Sequence, residues 1–246
     1  MSSNTNYVDI VADWQTKNIK TVADLSRELA SFGPQFIYHL CKLSNGGITY
    51  GYVSEIFKKS SVTNYTGDIE TLLAIKNAKN AYEAMLDAFD LRKPVTDMFI
   101  QDIQQLLTSG LYDRQCYKNG DRPGWYREEV SPFTGEYLGD YYAVEMVDVT
   151  DSLFVCPSDN LLIGAAQFLA NLEDLRPFTI GNVGTGIIVV NYYLFLHNHP
   201  PVIIHEEDRD QYFTAMYHYI KNNNISTLVE FLYRQVCKTW DKITAL

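Results

Sequence analysis

No run of about 18 or more apolar residues occurs in the 246-residue chain, so no membrane-spanning helix is expected. The start, MSSNTNYVDIVADWQTKN, lacks the basic n-region and the apolar core of a secretory signal. Basic charge is scarce: 20 Lys and Arg against 30 Asp and Glu leave a net charge of −10 and a pI near 4.9. That balance argues against nucleic acid or an anionic membrane as a partner. The four cysteines, Cys41, Cys116, Cys156 and Cys237, contain no CxxC pair and read as free thiols in a reducing cytoplasm. No metal site is expected either. In HNH (197–199) the two histidines point to different sides of a helix, and neither His205 nor any cysteine is spaced to complete a ligand set, so these histidines read as surface or helix-end residues. The chain has no internal repeat and no low-complexity linker.

Hydrophobic residues make up 46% of the sequence, enough for one good core or two small ones. The 18 tyrosines suit interfaces as well as cores, so a homo-oligomer stays open. Most of the chain has helical periodicity. In DIETLLAIKNAKNAYEAMLDAFD (68–90) Ile69, Leu72, Leu73, Tyr82, Met85, Leu86 and Phe89 share helical spacing, with acids near the start. The next helix begins after Thr96, read as its cap, and stops at Gly110. SDNLLIGAAQFLANLEDL is expected to start at a Ser158 cap and to end before Arg176-Pro177. Two amphipathic helices close the chain, and in the last of them Ile225, Leu228, Val229, Leu232, Val236, Trp240 and Ile243 share a face.

The stretch from Lys118 to Pro157 is different. It is rich in Gly, Pro and aromatics, and EVSPFTGEYLG has turn chemistry at its centre. YYAVEMV (141–147) and SLFV (152–155) are predicted to be short strands of a small hairpin. NGDRPGWYRE, which contains Trp125, reads equally as a recognition loop or as a structural turn with Trp125 on the core. Residues 1–59 are read as an N-terminal helical region packing on the core.

Leu175–Leu196, LRPFTIGNVGTGIIVVNYYLFL, is a helix exit, a glycine-rich turn and an apolar helix. Such turns cradle phosphates at helix N-termini. This one contains no acid, no histidine and no lysine, and its single charge is Arg176. The order of pieces resembles the Fic (filamentation induced by cAMP) family, whose signature is HPFx(D/E)GNGRxxR. GWYREE (124–129) is similar to that family's entry to a flap hairpin, and FVCPSDNLLIGAAQFLANLEDL to the helix before its motif. The resemblance covers roughly residues 60–221. It implies a mainly α fold, a Fic-like helical bundle with a small β-hairpin flap. The Fic-like domain would span 60–246, with the motif at 175–191 and C-terminal helices at 206–246.

The resemblance also implies a chemistry: transfer of AMP or a related phosphate-containing group to a protein hydroxyl. A histidine serves as general base, an acid holds Mg²⁺, backbone amides cradle phosphates and arginines clamp them. On this sequence the base position carries Arg176, the metal-acid position Ile180, and the two arginine positions Gly184 and Ile187. Pro177, Phe178, Gly181 and Asn182 are kept, the second glycine is Val183, and Thr185 and Gly186 match a family variant. An arginine is not a free base near neutral pH. Loss of a general base costs about 10²- to 10⁴-fold, and isoleucine cannot ligate Mg²⁺. A family inhibitory pattern, (S/T)xxxE(G/N), falls on Ser60 to Asn64, where asparagine replaces its glutamate.

The expectation is therefore a protein with no intact catalytic residue, no cofactor and a protein-interaction or regulatory role. In this family the flap holds the target as an added strand, so an unknown protein partner is expected at Tyr141, Ala143, Val144 and Met146 and beside Gly181. Two alternatives remain. One is altered nucleotide chemistry using His205 or an acid of EEDRD (206–210). The other is nucleotide binding without turnover at Gly181, Asn182, Gly184, Thr185 and Arg176. ATP and Mg²⁺ enter only under these. Arg176 itself is read as a partner of Glu173 or of nearby carbonyls, or else as a phosphate contact.

Overall fold

The computed structural model describes residues 6–44, 46–59, 65–127, 134–136, 139–154 and 160–244. Four helices come first: α1 (Tyr7–Thr16), α2 (Val22–Glu28), α3 (Phe32–Lys42) and α4 (Tyr50–Lys59). They are followed by α5 (Ile69–Asp90), α6 (Asp97–Thr108), α7 (Arg114–Lys118) and α8 (Gly139–Asp151). The last four are α9 (Leu161–Leu175), α10 (Asn182–Leu196), α11 (Arg209–Asn222) and α12 (Ser226–Thr244). No strand occurs among the described residues.

Local chemistry accounts for the helix ends. The Asp68 carboxylate accepts the Thr71 N–H at 2.6 Å and the Thr96 hydroxyl accepts that of Phe99 at 3.2 Å, starting α5 and α6. Gly110 then turns the chain out with φ 73°. α9 ends at Leu175; its cap residue Arg176 takes a left-handed φ of 47° and donates its N–H to the Leu172 carbonyl, and Pro177 cannot continue the helix. Its start differs from expectation: the helix begins at Leu161 with Asn160 as the capping position, and Ser158 lies outside the described residues.

α10 sits at the centre. Every residue from Thr185 to Phe195 is buried, and the helix packs against α9, α6, α5 and α3. A helix apolar on all sides belongs inside a core. The N-terminal helices join the same core: the Trp14 and Trp240 rings lie 5.1 Å apart, and Tyr7 donates its hydroxyl proton toward His199 Nε2 at 2.7 Å. Between α10 and α11 the chain runs extended and buried through PPVIIH (200–205), with no sheet to receive its backbone groups. Side chains take that role. Asn191 accepts the Val202 N–H at 2.8 Å and donates to the Val202 carbonyl at 3.1 Å. Thr239 accepts from Ile203, Gln235 accepts from His205, and the Trp240 indole donates to Pro201.

The expected hairpin is not present among the described residues. Tyr141, Ala143, Val144 and Met146 lie in α8, which packs on α9 and α6. Ser152–Phe154 forms the turn that leaves the helix, while Val155 and most of EVSPFTGEYLG lie outside the described residues. The valines and tyrosines of this stretch carry strand propensity, but burial follows another period. Tyr142, Met146 and Val149 are buried at i, i+4 and i+7, and Tyr141, Val144 and Val147 are exposed. Helical packing overrides propensity here. Val147→Pro therefore breaks a helix interior and is expected to cost about 3 kcal/mol or more in denaturant unfolding. At the edge of a strand the same change would cost much less.

The histidines read as surface residues are in part core residues. His199 and His205 are buried, as is His39, whose ring lies 4.7 Å from that of His205. His39 Nδ1 accepts the Glu206 N–H at 3.1 Å, and His205 Nδ1 faces Gln235 Oε1 at 2.9 Å. Burial first, and the neighbouring His205 second, push His39 down to about 3; burial also lowers His205, and takes His199 down to about 4. These rings stay neutral in the folded chain while their unfolded counterparts protonate near 6.5. Between those values the unfolded state binds more protons, so stability is full above about pH 6.5 and falls as the pH drops. The thermal midpoint should decline between pH 6.5 and 4.5, above the range where free carboxylates titrate. The drop should be shallower in His39→Gln, and equal slopes in the two proteins would refute this assignment.

Candidate functional site

The glycine-rich turn is fixed by residues that its chemistry would not need. Asn182 closes it on itself: Oδ1 accepts the Phe178 N–H at 3.1 Å and Nδ2 donates to the Phe178 carbonyl at 2.8 Å. Gly181 caps α10 with φ 87°, and a Cβ there would sit 2.7 Å from Thr108 Cγ2. Only glycine fits that backbone and that space. A Cβ on Gly186 would meet Leu169 and Leu172 at 3.1 Å, so α9 and α10 meet closely at that point. The Phe178 ring is buried against Tyr126, with centroids 5.2 Å apart.

A second set of bonds straps the turn to its neighbours. Gln104 of α6 is fully buried. Its Nε2 donates to the Ile180 carbonyl at 2.9 Å and to the Tyr112 hydroxyl at 3.2 Å, and its Oε1 accepts the Gly124 N–H at 2.5 Å. The Arg127 N–H donates to the Pro177 carbonyl at 2.7 Å, and the Tyr126 hydroxyl donates to Asp97. GWYR (124–127) is thus a structural strap, while Trp125 projects outward and is 63% exposed, against the reading that places it on the core. Neither Gln104 nor the strap was identified as part of the site from sequence; a glutamine inside an amphipathic helix carries no such signal.

The chemistry positions are scattered around this scaffold. Arg176 Nη2 meets Glu173 Oε1 at 2.6 Å, with Nε at 3.1 Å from the same oxygen. Its side chain faces the groove between α9 and α11, beside Phe213 and Tyr217. Ile187 and Thr185 are buried in the core, so the Thr185 hydroxyl is closed to solvent. Ile180, Gly181 and Gly184 come together on one wall of a cavity of about 230 Å³. Leu40, Cys41, Ala74, Ala78, Leu107 and Leu111 line most of the rest, with Ser44 and Thr108 as its hydroxyl residues, and no charged side chain faces it among the described residues. The Cys41 thiol is pushed up to about 12 by burial and stays neutral. Ser60 and Asn64 lie outside the described residues.

The other chemical candidates are held in structural contacts. Glu206 accepts the Tyr38 hydroxyl at 2.6 Å, Glu207 pairs with Lys238 and Lys242, and Asp208 pairs with Lys238 and accepts from Gln235. His205 is fully buried behind Gln235. No group of three or more His, Cys, Asp or Glu is arranged to hold a metal among the described residues. No described helix is long and apolar enough to cross a membrane.

No family model matches the chain, and no curated protein matches it by sequence. Solved structures do match. A Fic domain-containing signalling protein from Bacteroides thetaiotaomicron is 18% identical with TM-score 0.74, over 96% of this chain and 95% of its own. Fic-1 from C. elegans is 16% identical with TM-score 0.77, covering 98% of this chain and 70% of its own. A Fic family protein from Desulfovibrio desulfuricans is 17% identical with TM-score 0.65, covering 100% of this chain and 75% of its own. These likenesses show that the chain has the Fic fold.

Because the Gln104 side chain satisfies buried groups on two other segments, its loss should be felt as unpaired polar atoms. Gln104→Leu is expected to destabilise the protein by about 2–4 kcal/mol in urea unfolding. Hydrogen exchange at Gly124 should accelerate more than exchange in α12. A cost under about 1 kcal/mol would show that the turn does not depend on this amide.

Proposed function

From the Fic fold we infer that this chain is a Fic-family protein without the standard transferase activity, a pseudoenzyme acting as a protein-interaction or regulatory module. The observation that carries the reading is the cavity at the turn. Where the resemblance asks for a base, a metal acid and two arginines, the wall offers Ile180, Gly181 and Gly184 among leucines, alanines, a neutral thiol and the uncharged Ser44 and Thr108. Phosphoryl chemistry works almost entirely through positioning and charge stabilisation. A triphosphate with Mg²⁺ would lose hydration here and gain no fixed positive charge from the wall. Arg176, the only charge of the motif, is turned to Glu173. The alternative that relies on His205 or on 206–210 loses support, since Glu206, Glu207, Asp208 and Asp210 each pair within the fold and His205 is fully buried, out of reach of a ligand at the turn.

The kept letters favour the same reading. Pro177, Phe178, Gly181 and Asn182 each serve backbone geometry or packing. Such needs persist after chemistry is gone. A protein partner is proposed at α8, through the exposed side chains of Tyr141, Val144 and Val147 in place of strand pairing. The free thiols Cys41, Cys116 and Cys237 fit a cytoplasmic setting, which is part of the proposal.

The test is direct. The purified chain, incubated with labelled ATP and Mg²⁺, should transfer no label to itself or to added protein. Arg176→His should raise transfer by less than about twofold, because a base alone restores neither metal nor phosphate clamps. Calorimetry with ATP and Mg²⁺ should give no saturable heat. Robust transfer by the native chain, or a large gain from Arg176→His alone, would overturn the reading.

A further inference from the structure

We propose that the cavity between α3, α5, α6 and the first turn of α10 is a binding site for a small uncharged aromatic molecule of about nine heavy atoms. The size follows from its volume. An apolar cavity of about 150 Å³ accepts benzene, with six heavy atoms. At the same density about 230 Å³ holds a body the size of indole.

The chemical class follows from the wall. Leu40, Leu107, Leu111 and Ile180 present hydrocarbon, and Ala74 and Ala78 keep the α5 side shallow. An ionised ligand would be stripped of water with no opposite charge to meet it. The Thr108 hydroxyl is already committed to the Gln104 carbonyl at 2.9 Å. Ser44 is the exposed residue of the lining, so the wall is apolar or committed everywhere but at this rim.

The space is left open by the sequence. A Cβ at Gly184 would touch only Leu107 Cδ1, at 3.5 Å, an ordinary contact. At Gly181 and Gly186 the corresponding distances are 2.7 and 3.1 Å, and no room exists. A side-chain carbon at Gly184 is therefore accommodated on this wall, and its absence leaves space to the cavity.

The inference rests on the reading of the turn as emptied of phosphate chemistry, and one pair of titrations separates the two. Indole, and ATP with Mg²⁺, are titrated into the full chain by calorimetry. One-site binding of indole is expected, half-saturated on the order of 100 µM, with no ATP signal. Saturable ATP binding would overturn the proposed function. Absence of indole saturation below about 1 mM, with ATP also silent, would overturn this inference alone. Gly184→Leu and Ala74→Leu fill the site from opposite walls, and each should weaken indole at least tenfold. In the native protein, bound indole should show nuclear Overhauser contacts to the methyls of Leu107 and Ile180, a readout that needs no variant to fold. Unchanged affinity in a folded filling variant, contacts elsewhere, or equal affinity for indole-3-acetate would each refute the proposal.

Discussion

The Gln104 carboxamide joins three pieces of chain that no helix connects. It holds the Ile180 carbonyl of the turn, the Gly124 N–H of the strap and the Tyr112 hydroxyl after α6. Besides it, the turn has its internal clamp through Asn182 and the bond from the Arg127 N–H to the Pro177 carbonyl. The same device recurs. Asn191 secures Val202, and Gln235 secures His205, each from a buried position on a helix. An all-helical protein has no sheet ladder in which non-helical backbone can pair, yet buried N–H and C=O groups must be satisfied. A carboxamide supplies donors and an acceptor in one uncharged group, so it meets that need without the desolvation cost of an ion.

Under the proposed reading, this architecture lets the turn keep its shape without the family chemistry. The residues that shape it, Pro177, Phe178, Gly181 and Asn182, are held by steric and backbone demands that no ligand enters. The residues that would give it a function lie at positions where an apolar side chain is equally well packed. Ile187 is buried against the core, and Ile180 contributes to a hydrocarbon wall. Replacing charge with volume at such sites removes an ionic desolvation penalty and adds apolar burial. The scaffold and the chemistry are separable because different atoms of the same dozen residues serve them.

Most of the fold was legible because helix caps and a 3.6-residue period are local signals. Thr96 and Gly110 were read correctly from side-chain chemistry alone, and the last helix from its apolar face. The hairpin was misread because valine and tyrosine favour strands in isolation, while the face of α8 formed by Tyr142, Met146 and Val149 is decided by α9 and α6. At the site, the positions of the motif were legible and their surroundings were not. Gln104 lies 76 residues from Ile180, and nothing in its own helix distinguishes it from the exposed glutamine beside it, Gln105. The depth of His199 and His205 was equally hidden, since it depends on α1, α3 and α12 arriving from the far ends of the chain.

The tyrosine excess fits the same pattern of long-range ties. Tyr192 donates to the carbonyls of Ala88 and Lys93 from the heart of α10, Tyr38 donates to Glu206, Tyr7 reaches His199, and Arg127 donates to the hydroxyl of Tyr142. Each ring buries apolar area along its length and delivers one polar atom at its tip, about a ring's length from the backbone that carries it. In a bundle whose helices meet through side chains alone, that reach lets one residue pack in the core and anchor a loop at the same time. Glutamine and asparagine tie segments lying against their helix, and tyrosine ties those one layer further out. The non-helical chain between helices, the turn included, is therefore positioned by polar tips projecting from an apolar core, and its geometry is independent of any charge the turn itself carries.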